Sequence, residues 1–231
     1  MSCQVIHDSI HSRRGWTQEY SLRIDGAQVG YGSVAIARPW TQVPALYEIF
    51  VARPYRLKIF ELFGALRKAC GATRMEIQSN DRLTSAMFHA LAKNVESESV
   101  LFEDAVTTNF APPGATFRTA VAEDGLDVSN QQLPWHGVVE LDGSVAATGG
   151  ILFHYNRPYG DIYMDVREEF RRRGLGSFIV QELKRVCYEG GFKPGVRCRT
   201  TNVPSQRTLQ RAGFVPCGHI LVGDLPAAEG D

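Results

Sequence analysis

The chain has 231 residues, of which 44% are apolar and 22% are charged, and its formal net charge is zero. This composition is typical of a folded globular protein with one large domain or two small ones. The chain is neither strongly basic nor strongly acidic, and no apolar run in it is long enough to span a bilayer. We therefore expect neither nucleic acid nor a membrane among its partners.

The cysteines and the first residues bear on the cellular compartment. Residues 1–8 lack the basic and apolar regions of a signal peptide, and five cysteines are scattered along the chain. An odd number at irregular spacing predicts neither a disulfide framework nor a zinc site. We expect a cytoplasmic protein without a bound metal, in which the cysteines are small core residues: Cys3, Cys70, Cys187, Cys198 and Cys217.

The amino-terminal half has the pattern of an α/β protein. An Asp25-Gly26 turn follows a first strand, and Gly71 ends a helix. The predicted elements after the turn are strands over 29–36 and 46–51, a helix over 59–70, a strand over 74–78 and a helix over 83–92. Residues 93–135 predict little, although Ala111-Pro-Pro-Gly114 is typical of a linker.

The carboxy-terminal half repeats this order more clearly. Asp142-Gly143 is a strong hairpin turn, Gly190-Gly191 ends a helix and Gly213 caps another. The predicted elements are strands over 138–141, 145–153 and 161–166, a helix over 177–188, a strand over 196–199, a helix over 204–212 and a strand over 215–222.

The spacing between matching residues indicates an internal duplication. Three pairs lie 117 residues apart (Asp25 and Asp142, Gly32 and Gly149, Cys70 and Cys187), and Asn80 and Asn202 lie 122 apart. Convergent patterning of two α/β halves is the alternative, but the shared turn, glycine and asparagine favour a tandem repeat. We expect α/β (α+β) architecture with two mixed sheets flanked by helices, one copy over residues 1–110 and the other over 115–231.

The segment Arg171-Arg172-Arg173-Gly174-Leu175-Gly176 lies between a predicted strand and a predicted helix. Glycines at a helix start let backbone N–H groups approach a ligand, and the helix dipole favours an anion there. Three arginines at this positive end are unfavourable unless a polyanion binds. A solvated basic turn is the alternative reading, but the order of strand, glycines and helix favours an anion site.

This segment resembles the acyl-CoA-binding motif of the GNAT superfamily of N-acetyltransferases, in which Arg/Gln-x-x-Gly-x-Gly/Ala precedes a helix. The segment from Asn202 through Ser205 to Gly213-Phe214 resembles the closing motif of the same superfamily. The resemblance implies acetyl-CoA as co-substrate, with its pyrophosphate on the main-chain amides of about residues 172–177. It further implies that Asn202 contacts the pantetheine arm or the acceptor, and that the small Ser205 lets the cofactor pass. The cofactor-binding residues so implied are Met164, Val166, Arg171, Arg172, Arg173, Gly174, Leu175, Gly176, Ser177, Asn202 and Ser205.

The amino-terminal copy lacks these glycines. Aligning Val51 with Val166 places Arg56 opposite Arg171, and bulky residues opposite Gly174 and Gly176. Depending on the offset, these are Ile59 and Glu61 or Leu57 and Ile59. Because bulky or acidic side chains exclude a phosphate, we expect this copy not to bind CoA.

The sequence offers several candidates for the acid and the base of an acetyl transfer. The position seven residues after Asn202, which in many family members carries a tyrosine as general acid, is Leu209. Ser205, Tyr163 or a water are the alternative proton donors, unless the thiolate leaves unprotonated. Base candidates, on or next to the neighbouring strands, are Asp161, which we favour, Asp165, His154 and Glu140. We take Asp161, Asp165 and Ser205 as the catalytic candidates.

These patterns predict an N-acetyltransferase that moves an acetyl group from acetyl-CoA to a primary amine of a small molecule or peptide, as a monomer or homodimer. The alternative is a non-catalytic acyl-CoA-binding or regulatory module, which Leu209 and the absence of one obvious base favour.

Overall fold

The structure is a computed structural model that describes residues 14–37, 42–126, 135–153 and 157–226. The chain divides into two compact units. Among the described residues, the carboxy-terminal unit comprises those of Val100–Cys217, and the amino-terminal unit comprises those of 14–99 together with 218–226. The segment 111–114 therefore lies inside the carboxy-terminal unit, while residues 218–226 belong to the amino-terminal one.

The amino-terminal unit is a mixed sheet with two helices. Its elements are β1 (Thr17–Ile24), β2 (Ala27–Ala35), β3 (Ala45–Val51), α1 (Ile59–Cys70), β4 (Arg74–Gln78), α2 (Arg82–Leu91), the first half of β5 (Lys93–Asp104) and the second half of β11 (Phe214–Asp224). The strands β1, β2, β3, β4 and β11 are neighbours in that order. A 3-10 helix, Arg53–Lys58, precedes α1.

Local sequence explains the turns of this unit. Asp25 and Gly26 have φ angles of 48° and 81°, which close the β1–β2 hairpin tightly. Gly71 takes a φ of 60° and donates its N–H to the carbonyl oxygen of Arg67 at 2.9 Å, which ends α1. The apolar face of α1, with Leu62, Phe63 and Leu66, is buried in the core of the unit.

The carboxy-terminal unit holds the second half of β5, then β6 (Thr116–Thr119), β7 (Trp135–Leu141), β8 (Ser144–Leu152), β9 (Tyr159–Val166), α3 (Leu175–Glu189), β10 (Lys193–Arg199), α4 (Val203–Arg211) and the start of β11. The strand order is β11, β5, β10, β9, β8, β7, β6. β9 and β10 are parallel, whereas β6 to β9 pair antiparallel. The predicted α/β class, with mixed strand pairing and flanking helices, is confirmed.

A buried lysine ties α3 to two neighbouring segments. Lys184 is 1% exposed, and its Nζ donates to the carbonyl oxygens of Val106 at 2.7 Å and Ala212 at 2.8 Å. It also pairs with the carboxylate of Asp104 at 2.5 Å. These partners satisfy a charge that burial would otherwise make very costly.

Several structural details recur at a constant spacing in the two units. The β1–β2 register shifts between Leu22 and Arg23, and the β7–β8 register shifts 117 residues later, between Val139 and Glu140. A Cβ at Gly32 would lie 2.3 Å from the side chain of Leu66, and one at Gly149 would lie 2.9 Å from that of Leu183. Each glycine therefore lets a leucine of the covering helix approach the sheet.

No helix in the described part of the chain has the length and hydropathy of a membrane span.

Candidate functional site

The site begins where two parallel strands separate. β9 and β10 pair through only three residues each, the last pair being Asp161 with Gly195. Beyond that pair β9 continues to Val166 and β10 to Arg199. The carboxyl ends of the two strands therefore form a gap with unpaired backbone on both sides.

The free backbone of β9 faces this gap. Arg167, directly after β9, donates its N–H to Ala146 of β8 at 3.0 Å. Because successive residues of a strand direct their N–H groups to alternate neighbours, Met164 and Val166 direct theirs away from β8 and toward β10. The structure thus provides, at both predicted positions, a donor in the gap.

The loop between β9 and α3 has the geometry of an anion site. Arg172 and Gly174 take left-handed φ angles of 63° and 83°. The first helical backbone bond joins the N–H of Phe178 to the carbonyl oxygen of Gly174, and no side chain caps the helix. The four N–H groups of residues 174–177 are therefore left at the positive end of a 15-residue helix.

Both glycines of the loop are closely surrounded. A Cβ at Gly176 would lie 3.0 Å from Thr208 of α4, and 3.5 and 3.7 Å from Val166 and Met164. A Cβ at Gly174 would lie 2.7 Å from the ring of Phe110. The glycines therefore also serve the packing of α3, in addition to opening the backbone to a ligand.

The three arginines of the loop differ in their surroundings. Arg171 donates from Nε to the carbonyl oxygen of Val166 at 3.1 Å, which fixes the loop to the strand end. The guanidinium of Arg173 lies 5.5 Å from the ring centre of Phe170. Arg172 and Arg173 are exposed and extend the positive charge of the helix start.

Helix α4 lies on the β10 side of the gap. Asn202 caps it by accepting the N–H of Ser205 at 3.1 Å, so its side chain has a structural role at the helix start. The Ser205 hydroxyl hydrogen-bonds the Cys198 thiol of β10, whose pKa is raised mainly by burial. The hydroxyl of Ser177 donates to the Thr208 carbonyl oxygen at 3.1 Å, so only its backbone N–H can serve an anion.

The position expected to hold a general acid is part of the core. Leu209 is 1% exposed and belongs to the same apolar cluster as Leu175 and Phe178. A side chain at this position packs inside the unit.

The two candidate aspartates lie at opposite ends of β9. Asp161 is 5% exposed and stands opposite Leu152 and Gly195, where the strands still pair. Asp165 is exposed and stands opposite Thr148, in the separated part of the strand. Four residues of strand separate their Cα atoms by about 13 Å, so the two carboxylates cannot act at one point.

Two other candidates have different partners. Glu140 accepts from Nη2 of Arg118 at 2.7 Å and is held in an ion pair. The hydroxyl of Tyr163 hydrogen-bonds Nδ1 of His136 at 2.7 Å. Since Gly150 lies between them on β8, Tyr163 extends toward β7 and away from the β9–β10 gap. Burial raises the pKa of Tyr163. His154 lies outside the described residues.

The sequence did not predict a role for His136. This residue is 7% exposed, and its hydrogen-bond partner Tyr163 lies two strands away. A histidine in a strand next to the Gly149-Gly150 pair was the only sequence signal for this contact. The sequence also did not predict the separation of β9 and β10, which depends on tertiary pairing.

The corresponding loop of the amino-terminal unit has no such geometry. Helix α1 starts eight residues after Val51, whereas α3 starts nine after Val166. No residue of 52–58 has a positive φ. Aligned on the helix starts, Lys58 (φ −99°) stands opposite Gly174, and Phe60, 64% exposed, stands opposite Gly176. The alignment on the helix starts replaces the two alignments of this loop that were predicted from the sequence. At the start of α2, the residue that matches Asn202 is the capping residue Asp81 and not Asn80.

Comparison with known proteins finds a similar sequence family and similar solved structures. The Acetyltransferase (GNAT) family model matches residues 102–214, and no curated protein matches the sequence. A GNAT-family acetyltransferase from Colwellia psychrerythraea has a TM-score of 0.71 at 14% identity, over 91% of this chain and 86% of its own. A tandem GNAT protein from the clavulanic acid biosynthesis pathway, solved without AcCoA, has a TM-score of 0.64 at 14% identity, over 97% and 87%.

A GCN5-related N-acetyltransferase from Kribbella flavida has a TM-score of 0.57 at 16% identity, over 94% of this chain and 91% of its own. At these identities the solved structures show a shared fold. The match over residues 102–214 covers the separated strands, the glycine loop and α4. Over this part of its sequence, the chain is similar to the Acetyltransferase (GNAT) family.

Proposed function

We propose that the chain is an N-acetyltransferase that uses acetyl-CoA to acetylate a primary amine of a small molecule or peptide. The observation that carries this proposal is the conjunction of the glycine loop, with its uncapped helix start, and the gap between β9 and β10. The loop suits a pyrophosphate, and the gap suits the thin pantetheine arm that follows it.

Each predicted cofactor residue has a place in this proposal. The N–H groups of residues 174–177 bind the pyrophosphate, with Arg172 and Arg173 adding positive charge and Arg171 holding the loop in position. Asn202 and Ser205 line the pantetheine path from the α4 side. The N–H groups of Met164 and Val166 donate to the thioester carbonyl oxygen and stabilise the charge that develops there. Leu175 and Ser177 contribute backbone N–H groups.

The reaction requires the attacking amine to lose a proton and the departing thiolate to be stabilised. Asp165 is placed better for the base than Asp161, because it lies in the separated part of β9 whereas Asp161 lies in the paired part. The Ser205 hydroxyl, on the β10 side of the gap, is the proposed donor toward sulfur. Holding amine and thioester together supplies a large part of the acceleration.

The chain would hold one such site. The repeated register shift and glycine–leucine contacts support a tandem duplication, with copies over about 1–110 and 115–231. The amino-terminal loop, with Lys58 and Phe60 in place of the glycines, supports a structural role for the first copy.

Release of the CoA thiol, measured over a panel of amines, tests the activity. We expect turnover with at least one class of amine, and Asp165→Asn should lower kcat at least tenfold by removing the base. Glu103→Gln, which changes an exposed acid on β5, is the matched control and should leave kcat unchanged. Equal rates for the two variants would remove Asp165 from the mechanism.

The second candidate is a non-catalytic acyl-CoA-binding or regulatory module. The buried Leu209, at a position where many relatives carry a tyrosine, favours it. Tight binding of acetyl-CoA without thiol release for any amine would support this alternative, and turnover with any amine excludes it.

A further inference from the structure

The aromatic ring of Phe110 lies beside the glycine loop, and hydrogen bonds fix the backbone that carries it. The side-chain amide of Gln181, on α3, accepts the backbone N–H of Phe110 at 2.7 Å and donates to its carbonyl oxygen at 3.1 Å. Gln181 is 9% exposed, so a buried polar side chain is used to fix one residue of the segment that follows β5.

The fixed ring lies between the loop and a cation. Its edge would be 2.7 Å from a Cβ at Gly174, and the guanidinium carbon of Arg211 lies 4.1 Å from its centre. This contact holds the guanidinium over the ring and leaves its N–H groups free at the edges. In the described part of the chain Arg211 has no ion-pair partner, and it is exposed at the end of α4.

The ring and the gap lie on different sides of the start of α3. Gly176 faces Thr208, Val166 and Met164, whereas Gly174 faces Phe110. The two glycines therefore open toward different neighbours. A ligand that leaves the gap and crosses the helix start with its pyrophosphate next reaches Phe110 and Arg211.

We propose that Phe110 and Arg211 bind the 3′-phosphoadenosine end of CoA, with Arg211 donating to the 3′-phosphate. This inference rests on the proposed use of acetyl-CoA. A planar guanidinium binds phosphate through two parallel hydrogen bonds, and the aromatic ring holds it in a fixed orientation before the ligand arrives. The pair therefore selects CoA over thioesters that lack the 3′-phosphate.

Isothermal titration with CoA and with dephospho-CoA, which lacks only the 3′-phosphate, tests the assignment. We expect wild-type protein to bind CoA about tenfold or more tightly than dephospho-CoA. Arg211→Ala should weaken CoA binding about tenfold and leave dephospho-CoA within about twofold, so that the preference disappears. Gln181→Leu should also reduce the preference, because Phe110 loses its anchor while the loop itself is unchanged.

Lys193→Ala is the charge control, since it removes an exposed cation at the other end of β10 and should keep the preference. Circular dichroism checks that each variant is folded. Equal weakening of both ligands by Arg211→Ala, or no preference in the wild type, would overturn the 3′-phosphate assignment while leaving the proposed cofactor intact. Failure of wild-type protein to bind CoA at all would instead contradict the proposed function.

Discussion

The Nε atom of Arg171 donates a hydrogen bond to the carbonyl oxygen of Val166 at 3.1 Å, and Arg56 makes the same contact with Val51 at 3.1 Å. In both units the arginine fixes the loop to the last residue of the strand that precedes it. The residue after each strand also has the same backbone, with φ and ψ near −57° and 140° at Ala52 and −54° and 141° at Arg167. This contact holds the loop in both units, whereas only one loop contains the glycines.

Replacing the two arginines should therefore separate folding from binding. Arg171→Ala and Arg56→Ala each remove one hydrogen bond and should lower the free energy of unfolding by about 0.5–1.5 kcal/mol, measured by urea titration. Only Arg171→Ala should also weaken acetyl-CoA binding, because it loosens the loop with the helix N–H groups. Similar loss of affinity in both variants would argue against a single site.

The buried lysine predicts a large stability effect away from the site. Lys184→Met keeps the length of the side chain but removes the cation paired with Asp104 and the donor to two buried carbonyl oxygens. We expect a loss of about 3–5 kcal/mol in the free energy of unfolding by urea titration. Arg185→Ala removes the exposed neighbour and should cost below about 1 kcal/mol. A similar cost for both would show that the Lys184 contacts contribute little.

Placing a tyrosine at position 209 should not improve this protein. Leu209 is packed among the residues of the core, so Leu209→Tyr should lower the free energy of unfolding by about 1–3 kcal/mol through overpacking. Its hydroxyl would be directed into the core, so the rate of thiol release should not rise. A faster rate in this variant would mean that position 209 reaches the sulfur after all.

The carboxylate of Asp124 makes the free energy of unfolding depend on pH. Hydrogen bonds from the guanidinium of Arg118, at 2.7 and 2.8 Å, lower the pKa of Asp124 to about 2, with a further contribution from the Val121 N–H. A lowered pKa stabilises the fold above the ordinary aspartate pKa, and this stabilisation is lost as the pH falls toward the folded value.

Wild-type protein should therefore melt at a higher temperature than Asp124→Asn at neutral pH, and the difference should shrink between about pH 4 and pH 2. Thermal melts at several pH values measure it. A difference that stays constant over this range would show that the carboxylate does not titrate as proposed.

Local signals in the sequence were sufficient for the elements that carry the site. The Asp142-Gly143 turn, the strand before the loop and the glycine that ends α4 all lie where their turn and capping chemistry predicts. The predicted helix over 177–188 is the core of α3, which starts two residues earlier because Leu175 is already buried in its first turn.

The remaining features depend on partners distant in sequence. The strand β5 was not predicted because its first six residues are exposed and show no alternation of apolar and polar side chains. The contacts of Gln181 with Phe110, and of Arg118 with Glu140, join elements whose proximity exists only in the folded unit. The same holds for the gap, since pairing between β9 and β10 stops without a proline or glycine at that position of β9.

The number of CoA molecules bound per chain tests the central claim most directly. Isothermal titration of wild-type protein with acetyl-CoA should give one site per chain. Gly174→Glu should abolish binding, because it places a carboxylate at the phosphate position and a side chain where φ is 83°. Lys58→Glu, the matched change in the other unit, should leave one site with unchanged affinity. Two sites per chain, no binding by the wild type, or equal loss in the two variants would contradict the account.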